Sequence, residues 1–434
     1  MTEVRKSALA GASMVLGLAT WLPAALADNN HHHASAATIA ARIKYFGAQN
    51  VNPNTGEVRN DRVILSWTTN ASEAVSIKGR VVLLDTYINR PELPPGPGEP
   101  DLRRSPLTPQ EMIDLNPEAI FLGHGHFDHA DNAAYISKWL DIPIYSTPET
   151  CDAIQVDVQR MASDPNVVNG GAKIIPDSRP ANCIPIVTRG SVPGTEVVRL
   201  KQLEPLACIV AFKHIHSGAV PTDATFPLEP VNPDSDPREQ SLYPNQTSLI
   251  PGHPPVPGQM NLQTSVGVGG PISLFYQFIL RDDDDNNFTF VWHNTTGPLK
   301  EGVGSDPGLP SPQVGAHLFA IMDSLPQTDL EVGAIVTLDQ ANNGTRDAIL
   351  YHQHIKPQVY IPIHQTDATP ISSSLRYKVS YEKTLVAANV PVRPEARWKV
   401  DPDDFLKLDV FDPQDNRWQK QNRNRQTIDQ FCGR

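Results

Sequence analysis

Cysteine is scarce in this chain, and its spacing rules out one common use. The 434 residues hold four, Cys151, Cys183, Cys208 and Cys432, with no C-x-x-C pair, which excludes a structural zinc cluster built on thiolates. Basic runs are missing too, and the formal net charge is -12, so neither nucleic acid nor an anionic membrane surface is expected as a partner. Beyond the first 26 residues no long apolar run recurs, which leaves out a multi-span membrane protein. No internal repeat is present, which leaves out a repeat architecture. What the chain does have is proline, 41 residues of it, and a 39% hydrophobic content sufficient for one large core or two smaller ones.

The N-terminus reads as a targeting segment. Arg5 and Lys6 precede an apolar stretch over residues 8–26, and Ala25-Leu26-Ala27 has the small-x-small form of a signal-peptidase site. Pro23 and that ending favour cleavage after Ala27 over an uncleaved anchor, giving a signal peptide over 1–27. The mature protein is then expected to be periplasmic or secreted, without stable membrane insertion. His31-His32-His33 just beyond the cut read as a mobile tail that binds metal loosely. In an oxidising compartment four cysteines allow two disulfides in three pairings. Cys151 with Cys183 is preferred because both flank one loop-rich stretch, while Cys208, inside an apolar strand, reads equally well as a buried free thiol.

The most informative segment is His124-Gly125-His126-Phe127-Asp128-His129, an H-x-H-x-D-H turn directly after the apolar run Ala119-Ile120-Phe121-Leu122. Three imidazoles and a carboxylate in one turn form a metal site. Alternation sends His124 and His126 to the same side, so both can reach one ion, and leaves Asp128 and His129 to face a second. Imidazole nitrogen with carboxylate oxygen suits zinc, with iron or manganese as other choices.

This motif resembles that of the metallo-β-lactamase superfamily, and the remaining ligands of that family have matching positions here. Its early aspartate, closing a buried strand, matches Asp85 after Val81-Val82-Leu83-Leu84, where the resemblance implies a carboxylate that holds a ligand imidazole in its tautomer. Its last histidine matches His364 after Val359-Tyr360-Ile361-Pro362-Ile363. The intermediate histidine falls in Lys213-His214-Ile215-His216-Ser217-Gly218; His216 is favoured because a small residue and glycine follow it, and His214 is the runner-up. The family usually places Gly-Asp at the end of a further strand, with the carboxylate bridging two metals. Here Phe290-Val291-Trp292-His293 leads to Asn294, a neutral amide, so either the second ion is expected to be held less tightly or the site works with one ion. Strand alternation points His293 away from Asn294, towards packing or support of a ligand.

The resemblance implies an αββα sandwich, two packed mixed sheets with helices outside, over residues 28–400, with Pro/Gly-rich insertions near 90–106 and 218–270 and a C-terminal extension over 401–434. Hydrophobic periodicity predicts strands over 63–67, 74–77, 81–84, 119–122, 142–145 and 332–338, and helices over 108–115, 131–140, 314–322 and 345–354. Thr108 caps the first of these helices with Pro109 at its first position. Asp282 to Asp285 read as a solvated hairpin turn. Trp139 and Trp292 are expected in core packing, His317 as a satisfied core histidine, His253 as exposed, and His352 and His354 at surface or packing positions.

The expected activity is metal-assisted hydrolysis of an ester, lactone or related bond in a small-molecule substrate. An ion on His124, His126 and His216 lowers the pKa of a bound water towards about 7 and delivers hydroxide to a polarised carbonyl. Asp128 orients the nucleophile and returns the proton to the leaving group. An iron-dependent oxidative reaction, as some superfamily members perform, and a non-catalytic metal-binding protein are the two rival readings.

Overall fold

The computed structural model describes residues 34–88, 107–163, 175–231, 272–281, 288–302, 312–364, 375–391, 393–399, 404–418 and 423–433. Among the described residues, two seven-stranded sheets form the architecture. The first contains β1 (Val63–Thr69), β2 (Ser72–Ile77), β3 (Arg80–Leu84), β4 (Ile120–Phe121), β5 (Ile144–Ser146) and β6 (Cys183–Pro185), with β14 (Leu408–Phe411) on its far edge in the order β14-β1-β2-β3-β4-β5-β6. The second runs β13-β12-β11-β10-β9-β8-β7 and is built from β7 (Val197–Leu200), β8 (Ala207–His214), β9 (Ser273–Leu280), β10 (Thr289–His293), β11 (Leu330–Ala334), β12 (Val359–Ile363) and β13 (Glu395–Ala396). Each sheet is mixed: β3 to β6 are parallel, as are β10 to β13, and the rest pair antiparallel.

Alternation in the strands produces the layers. Val63, Leu65, Val75, Ile77, Val82, Leu84 and Phe121 of the first sheet meet Ile209, Tyr276, Phe278, Phe290, Trp292 and Ile361 of the second in one core between the sheets. The intervening residues face outwards under helices. Ile64, Val81, Leu83, Ile120 and Ile144 lie beneath α1 (Ala36–Phe46), α2 (Pro109–Asp114), α4 (Ala133–Leu140) and α5 (Pro148–Ser163), with the single turn α3 (Phe127–Ala130) between α2 and α4. Val210, Phe212, Phe275 and Val291 lie beneath α6 (Pro312–Ser324) and α8 (Arg346–Ile355), the latter following the short α7 (Gln340–Asn343). A smaller cluster joins Ile349 and Tyr360 to Tyr377, Tyr381 and Leu385 of α9 (Leu375–Ala387). Two mixed sheets with helices on their outer faces are the αββα sandwich expected from the motif. Among the described residues no helix is long and apolar enough to cross a membrane.

Local chemistry sets several of these boundaries. Thr108 Oγ1 accepts from Glu111 N–H and Glu111 Oε2 accepts from Thr108 N–H, a reciprocal cap with Pro109 in the first turn of α2. The predicted helices and strands overlap the observed ones and differ at their ends, because burial against a neighbouring layer, not propensity, decides where a strand stops.

The C-terminal segment departs from expectation. Its described residues are no extension: β14 pairs with β1, Val63 opposite Phe411, and α10 (Arg423–Cys432) is tied to β8 by the Cys208–Cys432 disulfide. Cys208 is therefore no free thiol, and Cys151 pairs with Cys183. Trp292 is fully buried, but Trp139 is 44% exposed, since it lies on the solvent side of α4 beside Tyr135. His317 is likewise exposed, donating from Nε2 to the Gly194 carbonyl at 3.0 Å. The leader, His31 to His33, the acidic run 282–285, His253, the whole of the 90–106 stretch and the 218–270 stretch beyond residue 231 lie outside the described residues.

Candidate metal centre

Strand ends from both sheets converge on one edge of the sandwich. Asp85 follows β3, the H-x-H-x-D-H turn follows β4, His216 follows β8, Asn294 follows β10 and His364 follows β12. Hydrogen bonds between the sheets fix this edge. Leu274 N–H donates to the Gly123 carbonyl at 2.7 Å, Tyr276 Oη donates to the Leu122 carbonyl at 2.9 Å, and His364 N–H donates to the Asn70 carbonyl at 3.0 Å. Beneath the turn, Phe121 packs against Tyr145, Tyr276 and Phe278 at 5.1–5.7 Å between ring centroids, so the loop stands on a rigid aromatic floor. Asp85 and His364 hold φ of 52° and 66°, a left-handed conformation that non-glycine residues rarely adopt and that tertiary structure must impose.

Two groups of donor atoms result. His124, His126 and His216 form one and Asp128, His129 and His364 the other, with the donor atoms of each group within 4.8 Å of one another. In the first, His124 Nε2 and His126 Nδ1 are 3.0 Å apart, and the His216 ring lies 4.7 and 4.9 Å from the rings of His124 and His126. In the second, His129 Nε2 and His364 Nε2 are 3.1 Å apart, with Asp128 Oδ2 3.4 Å from His129 Nε2 and 3.7 Å from His364 Nε2. The groups adjoin, the His124 and His129 rings being 4.0 Å apart.

The outer nitrogens show which atoms are left for a cation. His129 Nδ1 is 2.7 Å from Asp85 Oδ2, His216 Nδ1 is 2.8 Å from the Ser217 carbonyl, and His124 Nδ1 is 2.9 Å from Asn294 Oδ1. The nearest partner of each is an oxygen that can accept, which places the proton on Nδ1 and turns an unprotonated Nε2 into the centre; at His129 the Asp85 carboxylate is nearer than the Asn294 amide nitrogen at 3.0 Å. Burial also keeps the rings neutral. It pushes His124 well below the usual imidazole range, His216 down to about 4 and His364 down to about 3, with neighbouring imidazoles adding to the shift. Burial raises the Asp128 carboxyl, but His129, His364 and His126 outweigh it and hold the group below its ordinary value. Unprotonated nitrogens converging with an ionised carboxylate fit divalent metal ions, and their chemistry suits zinc, iron or manganese.

His214, the other histidine of its strand, is not in either group; its Nδ1 is 3.0 Å from Tyr351 Oη on the outer face of the second sheet. His293 lies on that face too, 2.9 Å from Glu331 Oε1, and Glu331 Oε2 is 2.7 Å from His352 Nδ1. His354 turns the other way, to Asp323 at 2.9 Å. Asn294 differs from expectation. Its side chain lies on the Nδ1 side of both His124 and His129, with Nδ2 donating to Asp85 Oδ2 at 2.7 Å, behind the ligand imidazoles and not between the two donor groups. A β-strand end fixes where a Cα stands; the rotamer follows from the hydrogen-bonding partners around it, here Asp85 and His124.

Sequence reasoning missed two residues. Asn70, in the turn from β1 to β2, donates through Nδ2 to the Asp128 carbonyl at 2.8 Å and to Asp128 Oδ2 at 3.2 Å. An asparagine with φ of 48° between two strands is a turn signal, but nothing local says that the turn faces a site. Gly123 is the second: a Cβ there would come within 2.2 Å of the Asn294 side chain.

No protein-family model matches the chain. Over 111 residues, 25% of its length, it is 28% identical to a UPF0173 metal-dependent hydrolase of Pyrobaculum neutrophilum and 29% identical to one of Pyrobaculum aerophilum. Each alignment covers 44% of the relative, so the chain spans less than half the length of the curated relatives it matches. Among solved structures it is similar to Igni18, a metallo hydrolase of the archaeon Ignicoccus hospitalis, at 13% identity and a TM-score of 0.40 over 81% of this chain and 98% of that one. With its αββα layers, its H-x-H-x-D-H turn and its paired donor groups, the chain bears the fold and the metal-binding pattern of the metallo-β-lactamase superfamily and is similar in sequence to UPF0173 metal-dependent hydrolases.

Proposed function

We propose that this protein is an exported metal-dependent hydrolase acting on an ester, lactone or related bond of a small molecule. The observation that carries the reading is the pair of adjoining donor groups, with three imidazoles oriented through Nδ1 so that Nε2 faces inwards. His124, His126 and His216 would hold one divalent ion and Asp128, His129 and His364 a second, with zinc the choice the donor set favours. Bound there, an ion supplies a water of pKa near about 7 and Lewis acidity for a carbonyl oxygen. Asp128 is placed by Asn70, and its Oδ2 lies beside both His129 and His364, where it can orient a nucleophilic water and pass a proton to the leaving group. Asp85 holds His129 in its tautomer. An acidic chain without an arginine cluster favours a carbonyl substrate over a phosphodiester. Two disulfides fit an oxidising compartment, periplasmic or extracellular.

The test is metal content of the purified mature protein beside hydrolysis of chromogenic esters, lactones and phosphodiesters. Bound zinc with ester or lactone turnover is the expected result. Bound iron with oxygen uptake would replace hydrolysis by an oxidative reaction, and bound metal without turnover of any kind would leave a metal-binding protein.

A further inference from the structure

Asn294 has three polar neighbours, and together they define a task that differs from metal ligation. Oδ1 is 2.9 Å from His124 Nδ1, Nδ2 is 2.7 Å from Asp85 Oδ2, and the same Nδ2 is 3.0 Å from His129 Nδ1. The amide is fully buried. It also stands directly over Gly123, where the missing side chain leaves the room it occupies, so the position has been made for it. A side-chain amide is neutral and can accept from an imidazole N–H through its oxygen while donating to a carboxylate through its nitrogen. A carboxyl in this place would face Asp85 across 2.7 Å, where one of the two must hold a proton to avoid repulsion.

We infer that Asn294 is a positioning residue that fixes the His124 tautomer from behind and couples the two donor groups through Asp85. The inference rests on the metal-centre reading. The chain of contacts runs His124 Nδ1–H to Asn294 Oδ1, Asn294 Nδ2–H to Asp85 Oδ2, and His129 Nδ1–H to Asp85 Oδ2, so one amide and one carboxylate orient a ligand imidazole in each group. Asp85 is held in turn by Gly123 N–H on Oδ1 at 3.0 Å. Loss of the amide leaves His129 its carboxylate and takes from His124 Nδ1 its acceptor, while His124 Nε2 keeps His126 Nδ1 at 3.0 Å, so the two groups respond unequally.

The experiment reads the tautomer first, in metal-free protein labelled with 15N-histidine, by NMR. Wild type is expected to show His124 protonated on Nδ1. Asn294→Leu, similar in volume and without hydrogen bonds, is expected to move His124 towards the Nε2–H form. Asn294→Asp keeps an acceptor for His124 and is expected to keep the Nδ1–H form, which guards against a leucine variant that fails to fold. Zinc titration by calorimetry follows: Asn294→Leu is expected to weaken the His124, His126 and His216 group by about tenfold to a hundredfold, the cost typical of removing a partner that orients a metal ligand. The other group should change by less. An unchanged His124 tautomer in Asn294→Leu overturns the inference, as does metal loss confined to the Asp128, His129 and His364 group, or a tighter second ion in Asn294→Asp, each of which is the behaviour of a bridging ligand. A wild-type protein that takes up no divalent ion fails the metal-centre reading, and the tautomer, read without metal, still decides what Asn294 does to His124.

Discussion

His129 and His364, 235 positions apart, stack at 4.9 Å between ring centroids with planes 14° apart and bring their Nε2 atoms to 3.1 Å. With Asp85 on His129 Nδ1, the inward nitrogen of His129 carries no proton and can only accept. His216→Ala is therefore expected to release metal from one group and His364→Ala from the other, each lowering stoichiometry by about one ion, because a site that loses one of three ligands no longer competes with water. His214→Ala should retain full metal content in its folded fraction, since that ring faces Tyr351. Elemental analysis of the three variants decides, and metal loss in His214→Ala alone would move the third ligand there.

Glu331 lies buried between His293 and His352, and these imidazoles overcome the effect of burial and hold its carboxyl down at about 2. A folded-state value below the unfolded one means stability that is present above about pH 4.5 and is lost as pH falls towards 2. Glu331→Gln should cost about 3 kcal/mol near neutral pH and flatten the acid limb of the stability curve. Urea melts from pH 2.5 to 7 measure both effects, and parallel curves for the two proteins would contradict the assignment.

Glu73 presents the opposite sign. It pairs across the first sheet with Trp67 and Leu84, both carboxylate oxygens lack a hydrogen-bond partner among the described residues, and burial pushes its carboxyl up to about 8, against Lys399, which lowers it, and with Asp409, which raises it further. A raised value means stability fully present below about pH 4.5 and lost progressively up to pH 8, at roughly 1.4 kcal/mol per unit. Glu73→Gln is expected to leave the melting temperature near pH 5 almost unchanged and to raise it at pH 8.5. A wild-type curve already flat between those pH values would contradict this.

The two disulfides close loops of different size, 32 residues for Cys151–Cys183 and 224 for Cys208–Cys432. On the chain-entropy account the longer loop is worth about 1–2 kcal/mol more. Alanine at both Cys208 and Cys432 should therefore lower stability more than alanine at both Cys151 and Cys183, as read from denaturant midpoints. Equal losses would assign the stabilisation to local packing instead.

Export predicts a mature protein that begins at Asp28. N-terminal sequencing of the exported protein checks it, and a membrane-bound product that retains Trp21 would make the leader an anchor.

The sequence alone determined what depends on neighbours a few residues away. The H-x-H-x-D-H turn after an apolar strand, the aspartate after Leu84, the histidine after Ile363 and the period-2 strands of a sandwich were all legible, because alternation and strand ends are properties of a local segment. The choice of Cys151 for Cys183 was legible from their loop. The tertiary structure alone decided the rest. Where the Asn294 amide points depends on Asp85 and His124, which arrive from the other sheet, and Asn70 becomes a support for Asp128 only when the β1–β2 turn meets the β4 loop. Trp139 and His317 carried apolar context yet face solvent, since the pattern gives a helix its apolar stripe but not the depth of the layer covering it. The partner of Cys208 lies 224 residues away, and no local rule reaches so far; only the return of the C-terminal helix to the second sheet brings the two sulfurs together.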